Sequence, residues 1–316
     1  MKFRLRRGKP VRRVIRKLFA FHVERCRSLL AADESQVGRI HEVRKSIKRL
    51  RALVSLVGQG LGSERRWFDR HLRDVNRLLS PVRDAESLRE AFDRIAVADE
   101  SPPDEFAVIR AVLWSWSDQH ERPSDVAVER ACRELSRIER RWKKARLKSR
   151  GWSLLEDNVR RTYRRCRRTV CKLPVQATAA ELHELRKLVK QTQYHWEFLQ
   201  PLWPVRLQVE LAELETLSDN LGAHHDAQML REWLDQQAKF GLTGQAAQLL
   251  VQMLDRQQHQ LEEAVRRTAP LVFAEPPRGI SKRLKGYWRS WRRPTDEPAS
   301  SERRPSQPTL LQSVAP

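Results

Sequence analysis

Apolar residues recur three and four positions apart along most of the chain. Between Ile40 and Val57 they fall at Ile40, Val43, Ile47, Leu50, Val54 and Val57, a spacing that predicts a helix with a single buried stripe. The same period predicts a helix over about Val11–Ala32, opened by Pro10, and another through Trp67, Leu72, Val75 and Leu79. Ser80-Pro81 reads as an N-cap with proline at the first helical position of a fourth helix ending near Ile95. Turns are expected at Asp33–Gly38 and Gly58–Ser63, and a loop at Ala98–Asp104. Periodicity resumes over Phe106–Trp116, Val126–Lys148, a basic helix after Trp152, and Leu182–Leu199. Beyond Pro201 and Pro204 it covers Gln208–Leu221, stopped by Gly222, then Ala227–Phe240 and Gln245–Arg267. No window alternates with period two, so the fold class is all-α. Trp114, Trp116, Trp142 and Trp152 are assigned to the core or to seams between helices. From Pro294 the sequence turns rich in Pro and Ser and loses its period, so residues 294–316 are expected to be a disordered tail.

The polar positions add a second pattern. On the helix over Ile40–Val57, His41, Arg44, Lys48 and Arg51 gather opposite the apolar stripe, with Lys45 at its edge. His183, Glu184, Arg186, Lys187 and Lys190 repeat the order of His41, Glu42, Arg44, Lys45 and Lys48 at an offset of 142 residues. The offset holds without a gap into the next segment, where Asp84 meets Asp226, Leu88 meets Leu230, and Arg89-Glu90 meets Arg231-Glu232. The chain is read as an internal duplication, repeat one over about 11–148 and repeat two over about 152–293. Like charges four apart, as at Arg44 and Lys48, cost about 0.2–0.5 kcal/mol per pair on an exposed helix. Bearing that cost at matching positions of two copies points to charges that are used. Related helices facing each other would line one shared basic groove or pore.

Composition narrows the partner. Lys and Arg total 62 against 40 Asp and Glu, a formal charge of +22, which calls for a polyanion. Nucleic acid, an anionic membrane surface and inorganic polyphosphate all satisfy that demand. No apolar run approaches the roughly 20 residues of a membrane span, and the first twenty residues are too charged for a signal-peptide core, so a cytoplasmic location is expected. Cys26, Cys132, Cys166 and Cys171 form no zinc-like spacing and are expected as buried free thiols. Further cations recur at helical spacing at Arg137, Arg141, Lys144 and Lys148, and at Arg160, Arg164 and Arg167; a solvated bundle exterior explains these equally well.

The candidate chemistry is binding rather than turnover. His224-His225-Asp226 resembles the His-Asp pair with which helical phosphohydrolases hold a divalent ion, but the first copy has Val82, Arg83 and Asp84 at the matching positions. Asp84 and Asp226 are read instead as first-turn acids that complement a helix dipole or orient a basic neighbour. There is no GxxxxGK[ST] loop, nucleophile elbow or paired-carboxylate site. No metal, cofactor or catalytic residue is assigned.

These residues resemble the conserved histidine α-helical domain, or CHAD, family. The resemblance rests on His41-x-x-Arg44-Lys45-x-x-Lys48-Arg49-Leu50-Arg51, on His183-x-x-Arg186-Lys187-x-x-Lys190, on Leu221-Gly222-x-x-x-Asp226, and on the duplication. It implies that residues 1–293 fold as two antiparallel four-helix bundles related by a pseudo-twofold axis. It also implies a basic central cavity that binds inorganic polyphosphate, often at polyphosphate granules and among their proteins. The contact set so implied is His41, Arg44, Lys45, Lys48, Arg49, Arg51, Arg83, Arg141, Lys144, Arg164, Arg167, His183, Arg186, Lys187, Lys190 and His225. Gln191 and Gln193 stand where the first copy has Arg49 and Arg51, so the second copy is expected to contribute fewer cations. The Glu-x-Glu-x-Lys strand of the triphosphate-cleaving domain carried by some members does not occur in these residues. The expected function is therefore non-enzymatic polyphosphate binding, with sequence-indifferent nucleic-acid binding as the second reading and metal-dependent phosphohydrolysis as the third.

Overall fold

The computed structural model describes residues 1–32, 37–98, 106–120 and 122–293. The expected tail at 294–316 and most of the expected loop at 98–104 lie outside the described residues, as does most of the turn before the second helix. Most of the α-helices among the described residues follow from the apolar period; the single turn over Gly58–Leu61 forms where a plain turn was expected, and the helix over Pro277–Arg292 was not anticipated. The helices are α1 (Val11–Ala31), α2 (Val37–Leu56), the single turn α3 (Gly58–Leu61), α4 (Glu64–Leu78), α5 (Ser80–Ala98) and α6 (Ala107–Asp118). They continue with α7 (Asp125–Lys144), α8 (Glu156–Cys171), α9 (Ala179–Leu199), α10 (Pro204–Ala238), α11 (Gln245–Val272) and α12 (Pro277–Arg292). Among the described residues no strand is present.

Two hydrophobic cores organise these helices. In the larger, α1 packs on α2 and α7, and α4 packs on α2 and α7. Phe19 stacks on Trp142 with ring centroids 3.8 Å apart, and Phe68 meets the same indole edge-on at 5.3 Å. The same core continues through α8, α9, α12 and the first half of α10, with Leu185, Val189, Leu214 and Leu217 buried. The smaller core joins Leu88, Phe92 and Ile95 of α5 and Leu113 of α6 to Leu230, Trp233 and Leu234 of α10 and Leu250 and Leu254 of α11. Three helices therefore pass from one core to the other. On α5 the passage falls between Val82 and Leu88, on α10 between Leu221 and Ala227, and on α11 between Leu254 and Val265. Charged residues concentrate at that junction because neither core covers it.

Four boundaries differ from the expectation. Gly222 does not end a helix: α10 runs unbroken for 35 residues. Glycine inside a helix costs about 1 kcal/mol relative to alanine, and burial of leucines on both sides of Gly222 outweighs that. Ser80 is the first residue of α5 rather than its cap, and its hydroxyl donates to the Arg77 carbonyl at 2.9 Å. Helix α7 stops at Lys144, four residues early, because Ala145 turns extended and the following segment is tied elsewhere: Arg16 and Arg12 donate to the carbonyls of Ala145 and Ser149 at 2.6 and 2.8 Å. Helix α12, not anticipated, covers α8 with Ile280, Leu284 and Trp288.

The tryptophans divide as their helices do. Trp142 and Trp152 are buried in the larger core, and Trp114 and Trp116 lie half-buried against the smaller one. Cys26 and Cys166 are buried thiols, but Cys171 is exposed and Cys132 half-exposed, so burial describes only half of the set.

Candidate binding site at the junction of the cores

Helices α2 and α9 form the floor of the site. Their stripes, Ile40, Val43, Ile47 and Leu50 on one and Leu182, Leu185 and Val189 on the other, are turned into the core. That fixes the rotation of each helix and hence the direction of its cations. Helix α9 is started firmly: Thr178 accepts from the Glu181 amide while Glu181 accepts from the Thr178 amide at 2.8 Å, a reciprocal cap. The two helices touch through Gln191, which donates to the Ser55 hydroxyl, and His195, whose Nε2 lies 3.3 Å from the Ala52 carbonyl.

The repeated H-E-x-R-K-x-x-K order resolves into two roles. In each copy the Glu pairs with the Lys three residues later, Glu42 with Lys45 at 3.6 Å and Glu184 with Lys187 at 2.5 Å. The Arg and the last Lys of each motif are not held by that Glu; Arg44 donates to the Asn76 carbonyl at 3.1 Å and Lys190 lies 3.8 Å from Asp219. Lys48 is the centre. Burial and then the positive charges of Arg186, Arg44, Lys190 and Arg83 hold its ammonium down to about 7. Arg44 belongs to the first motif, Arg186 and Lys190 to the second, and Arg83 to α5, so the two motifs converge on one place. Burial also lowers the pKa of Arg44, Arg186 and Lys190, relieved in part by Asp84, Asp226 and Asp219 respectively. The Nε atoms of Arg44 and Arg186 are buried without a hydrogen-bond partner, and an unmatched buried donor costs about 1–3 kcal/mol.

The Arg186 guanidinium lies over α10 at Gly222, where an added Cβ would meet it at 3.8 Å, an ordinary van der Waals distance. Asp226 does not complement a helix N-terminus, because it stands in the middle of α10. Asp226 lies in the field of Arg186 and Asp84 in that of Arg44. Burial raises the pKa of both acids, and the arginines oppose that rise.

The histidines stand at the rim. Burial, then Arg83 and Lys48, lower the pKa of His41. The His183 and His225 rings lie 4.5 Å apart, inclined at 44°; burial and Arg186 push His225 down to about 4, and burial and Lys187 lower His183. The three residues His224, His225 and Asp226 answer to three different neighbours: His224 meets Glu262 at 3.1 Å, His225 meets the His183 ring, and Asp226 feels the charge of Arg186. Among the described residues no group of three or more His, Cys, Asp or Glu is placed to hold a metal ion.

A cleft of about 810 Å³ opens beside Lys48 between α2, α4, α8 and α9. It is lined by ten cationic side chains and only two acids, Asp69 and Glu184. Lys48, Arg51, Arg186, Lys187 and Lys190 were expected there; Arg65, Arg66, Arg70, Arg73 and Arg165 were not. Arg66, Arg70 and Arg73 are spaced four and three apart, the same signal that singled out α7, and it could have found them. Arg51 is held by Asp69 at 3.0 Å.

Other expected residues are placed elsewhere. Arg83 reaches the junction, but Glu90 and Glu86 hold it at 2.9 and 3.0 Å, and those pairs raise its pKa against the effect of burial. Arg49 turns away, to Glu197 at 2.7 Å and over the Phe3 ring, because it is one residue, or about 100°, round the helix from Lys48. Arg141 forks onto Glu64 and stacks on Trp67 with its charge 4.4 Å from the ring centre, in a separate surface hollow that Lys144 also lines. Arg167 donates to the Phe273 carbonyl at 3.1 Å, and Arg164 is exposed on the outside of α8 while its neighbour Arg165 reaches the cleft. Arg141, Lys144, Arg164 and Arg167 thus fall outside the cluster.

Among the described residues no helix is long and apolar enough to cross a membrane. No curated protein matches the chain. Its fold is similar to the crystal structure of the CHAD domain from the plant Ricinus communis, with a TM-score of 0.65 over 85% of this chain and 94% of that one, at 14% identity. The sequence itself matches the CHAD domain family over residues 13–235. On that match the chain belongs to the CHAD domain family.

Proposed function

We propose that the cleft binds inorganic polyphosphate and that the protein acts as a non-enzymatic binding module, in the cytoplasm and at polyphosphate granules. In this reading the two copies of the motif come from a duplicated unit, arranged as paired bundles about a basic central groove. The observation that supports it is the environment of Lys48. Cations from α2, α4, α8 and α9 crowd one half-buried space, in which the acids present are too few to match them. Such a cluster is costly when empty and relieved when phosphate oxygens enter. A run of singly charged oxygens along a flexible chain suits a line of guanidinium forks and ammonium groups, each charge-assisted hydrogen bond contributing about 1.5–3 kcal/mol. Membership of the family is consistent with a polyphosphate-binding role.

Titration of a short-chain polyphosphate into Lys48→Gln, Arg186→Gln and the double variant tests this. Each single variant is expected to bind about tenfold more weakly, which is about 1.4 kcal/mol. The double variant is expected to lose less than the sum, because both side chains grip the same phosphates. Strict additivity with small single effects would contradict a shared site.

A further inference from the structure

Net charge and the cleft are separate matters in this chain. Three segments contain no acid at all: residues 1–23, with nine Lys and Arg, and residues 140–155 and 276–293, with seven each. Those 23 cations exceed the whole formal charge of +22 and leave 39 Lys and Arg against 40 acids for the remainder. The cleft is basic by arrangement, whereas the surplus of the molecule resides in these segments.

The fold brings the three together at one end. Arg12 and Arg16 at the start of α1 donate to the carbonyls of Ser149 and Ala145, Arg7 donates to the Arg293 carbonyl at 2.5 Å, and Trp152 packs on Trp288 of α12 at 6.0 Å. Apolar side chains from these segments, Phe3, Leu5, Leu147, Trp152 and Trp288, are buried. The cations between them are turned out: Arg13, Arg146, Lys148, Arg150, Arg289 and Arg292 are all exposed, and none of the six has an acidic partner among the described residues. Two of these segments are pinned through backbone carbonyls, which anchors the surface without neutralising it.

We infer that this terminal face is a second polyanion site, distinct from the cleft, that binds double-stranded nucleic acid along its phosphodiester backbone without regard to sequence. Its chemistry favours that partner. Arg141, Lys143, Arg283 and Lys285 are paired with acids; of the other 19 cations thirteen are arginine, whose planar fork matches two phosphate oxygens. Among the large apolar side chains of these segments only Met1 is exposed, which is too little to insert into a lipid layer. Fully exposed aromatic platforms, which single strands need for stacking, are lacking among the described residues of the face, where Trp291 is half-buried against Trp288.

The test is a fluorescence-anisotropy titration with a short mixed-sequence DNA duplex over a range of salt. Replacing Arg13, Arg146, Arg150 and Arg289 together by Gln is expected to weaken binding at least tenfold. It should also flatten the salt dependence by roughly 0.9 in logarithmic slope for each phosphate no longer neutralised. The cleft pair Lys48→Gln and Arg186→Gln is expected to leave duplex binding within about twofold of wild type, which keeps this inference separable from polyphosphate binding. A second set, Lys9, Lys148, Arg292 and Arg293 to Gln, gives an independent reading if the first set fails to fold. Unchanged duplex affinity in a folded set would overturn the inference. So would loss of duplex binding in the cleft pair alone. Tighter capture by phosphatidylserine vesicles than by the duplex at equal phosphate would overturn it in favour of a membrane surface.

Discussion

Lys48 shows how a single residue can report the state of the site. In the free protein its ammonium sits near 7, so at pH 8 it is largely neutral; phosphate oxygens would restore its charge and raise its pKa. Binding at pH 8 is therefore expected to take up close to one proton, and affinity is expected to fall as pH rises from 7 towards the bound-state pKa. The depressed histidines act in the same direction on the acid side, since His41, His183 and His225 all start below their ordinary value and gain charge from a polyanion. Calorimetry in two buffers of different ionisation enthalpy measures the uptake, and Lys48→Arg, charged throughout, should abolish most of it while keeping affinity. Equal uptake in the variant would place the titrating group elsewhere. Residue types and spacing made His41, Arg44, Lys48, His183, Arg186 and Lys190 legible from the sequence. They did not reveal that Glu42 is held by Arg25 as well as by Lys45, that Glu184 is held by Lys187, nor that Arg83 is bound by two acids, because pairing depends on which side chains meet in the fold and not on charge counts.

At the level of helices, periodicity located nearly every element, and it erred where tertiary packing overrides local preference. Gly222 is the clearest case. As a local signal it ends a helix; in the fold it is held inside α10 by the leucines on either side, and the Arg186 guanidinium lies over it. Gly222→Ala is expected to stabilise the protein by up to about 1 kcal/mol, since the added methyl meets Arg186 at ordinary van der Waals distance and alanine favours the helix. Gly222→Leu is expected to displace Arg186 and weaken polyphosphate binding about tenfold at unchanged helicity. Urea unfolding and a phosphate titration on the two variants check both expectations, and a leucine variant with wild-type affinity would show that the position of Arg186 is immaterial. The cleft-lining arginines of α4 escaped notice for a related reason: Arg65, Arg66, Arg70 and Arg73 stand in the first half of the chain, and only the packing of α4 on α2 and of α2 on α9 carries them to the second-copy cations.

For the molecule as a whole, two cores of unequal size meet at a polar junction, and α5, α10 and α11 span it. The all-helical fold and the repeated motif were readable because both are written in short-range spacing. The split into two cores was not, since it depends on α5 and α6 leaving their own half to pack with α10 and α11. Net charge likewise gave the sign of the partner but not its place, because the surplus lies at the terminal face and the cleft is made by convergence. The central claim is that the positive sides of α2 and α9 act together on one chain of phosphates. The most direct test is a titration of short-chain polyphosphate into the variant with Arg44, Lys48, Arg186 and Lys190 all changed to Gln. The account predicts affinity at least tenfold lower, with a shallower salt dependence and unchanged helicity. Binding equal to that of the wild-type protein would contradict it.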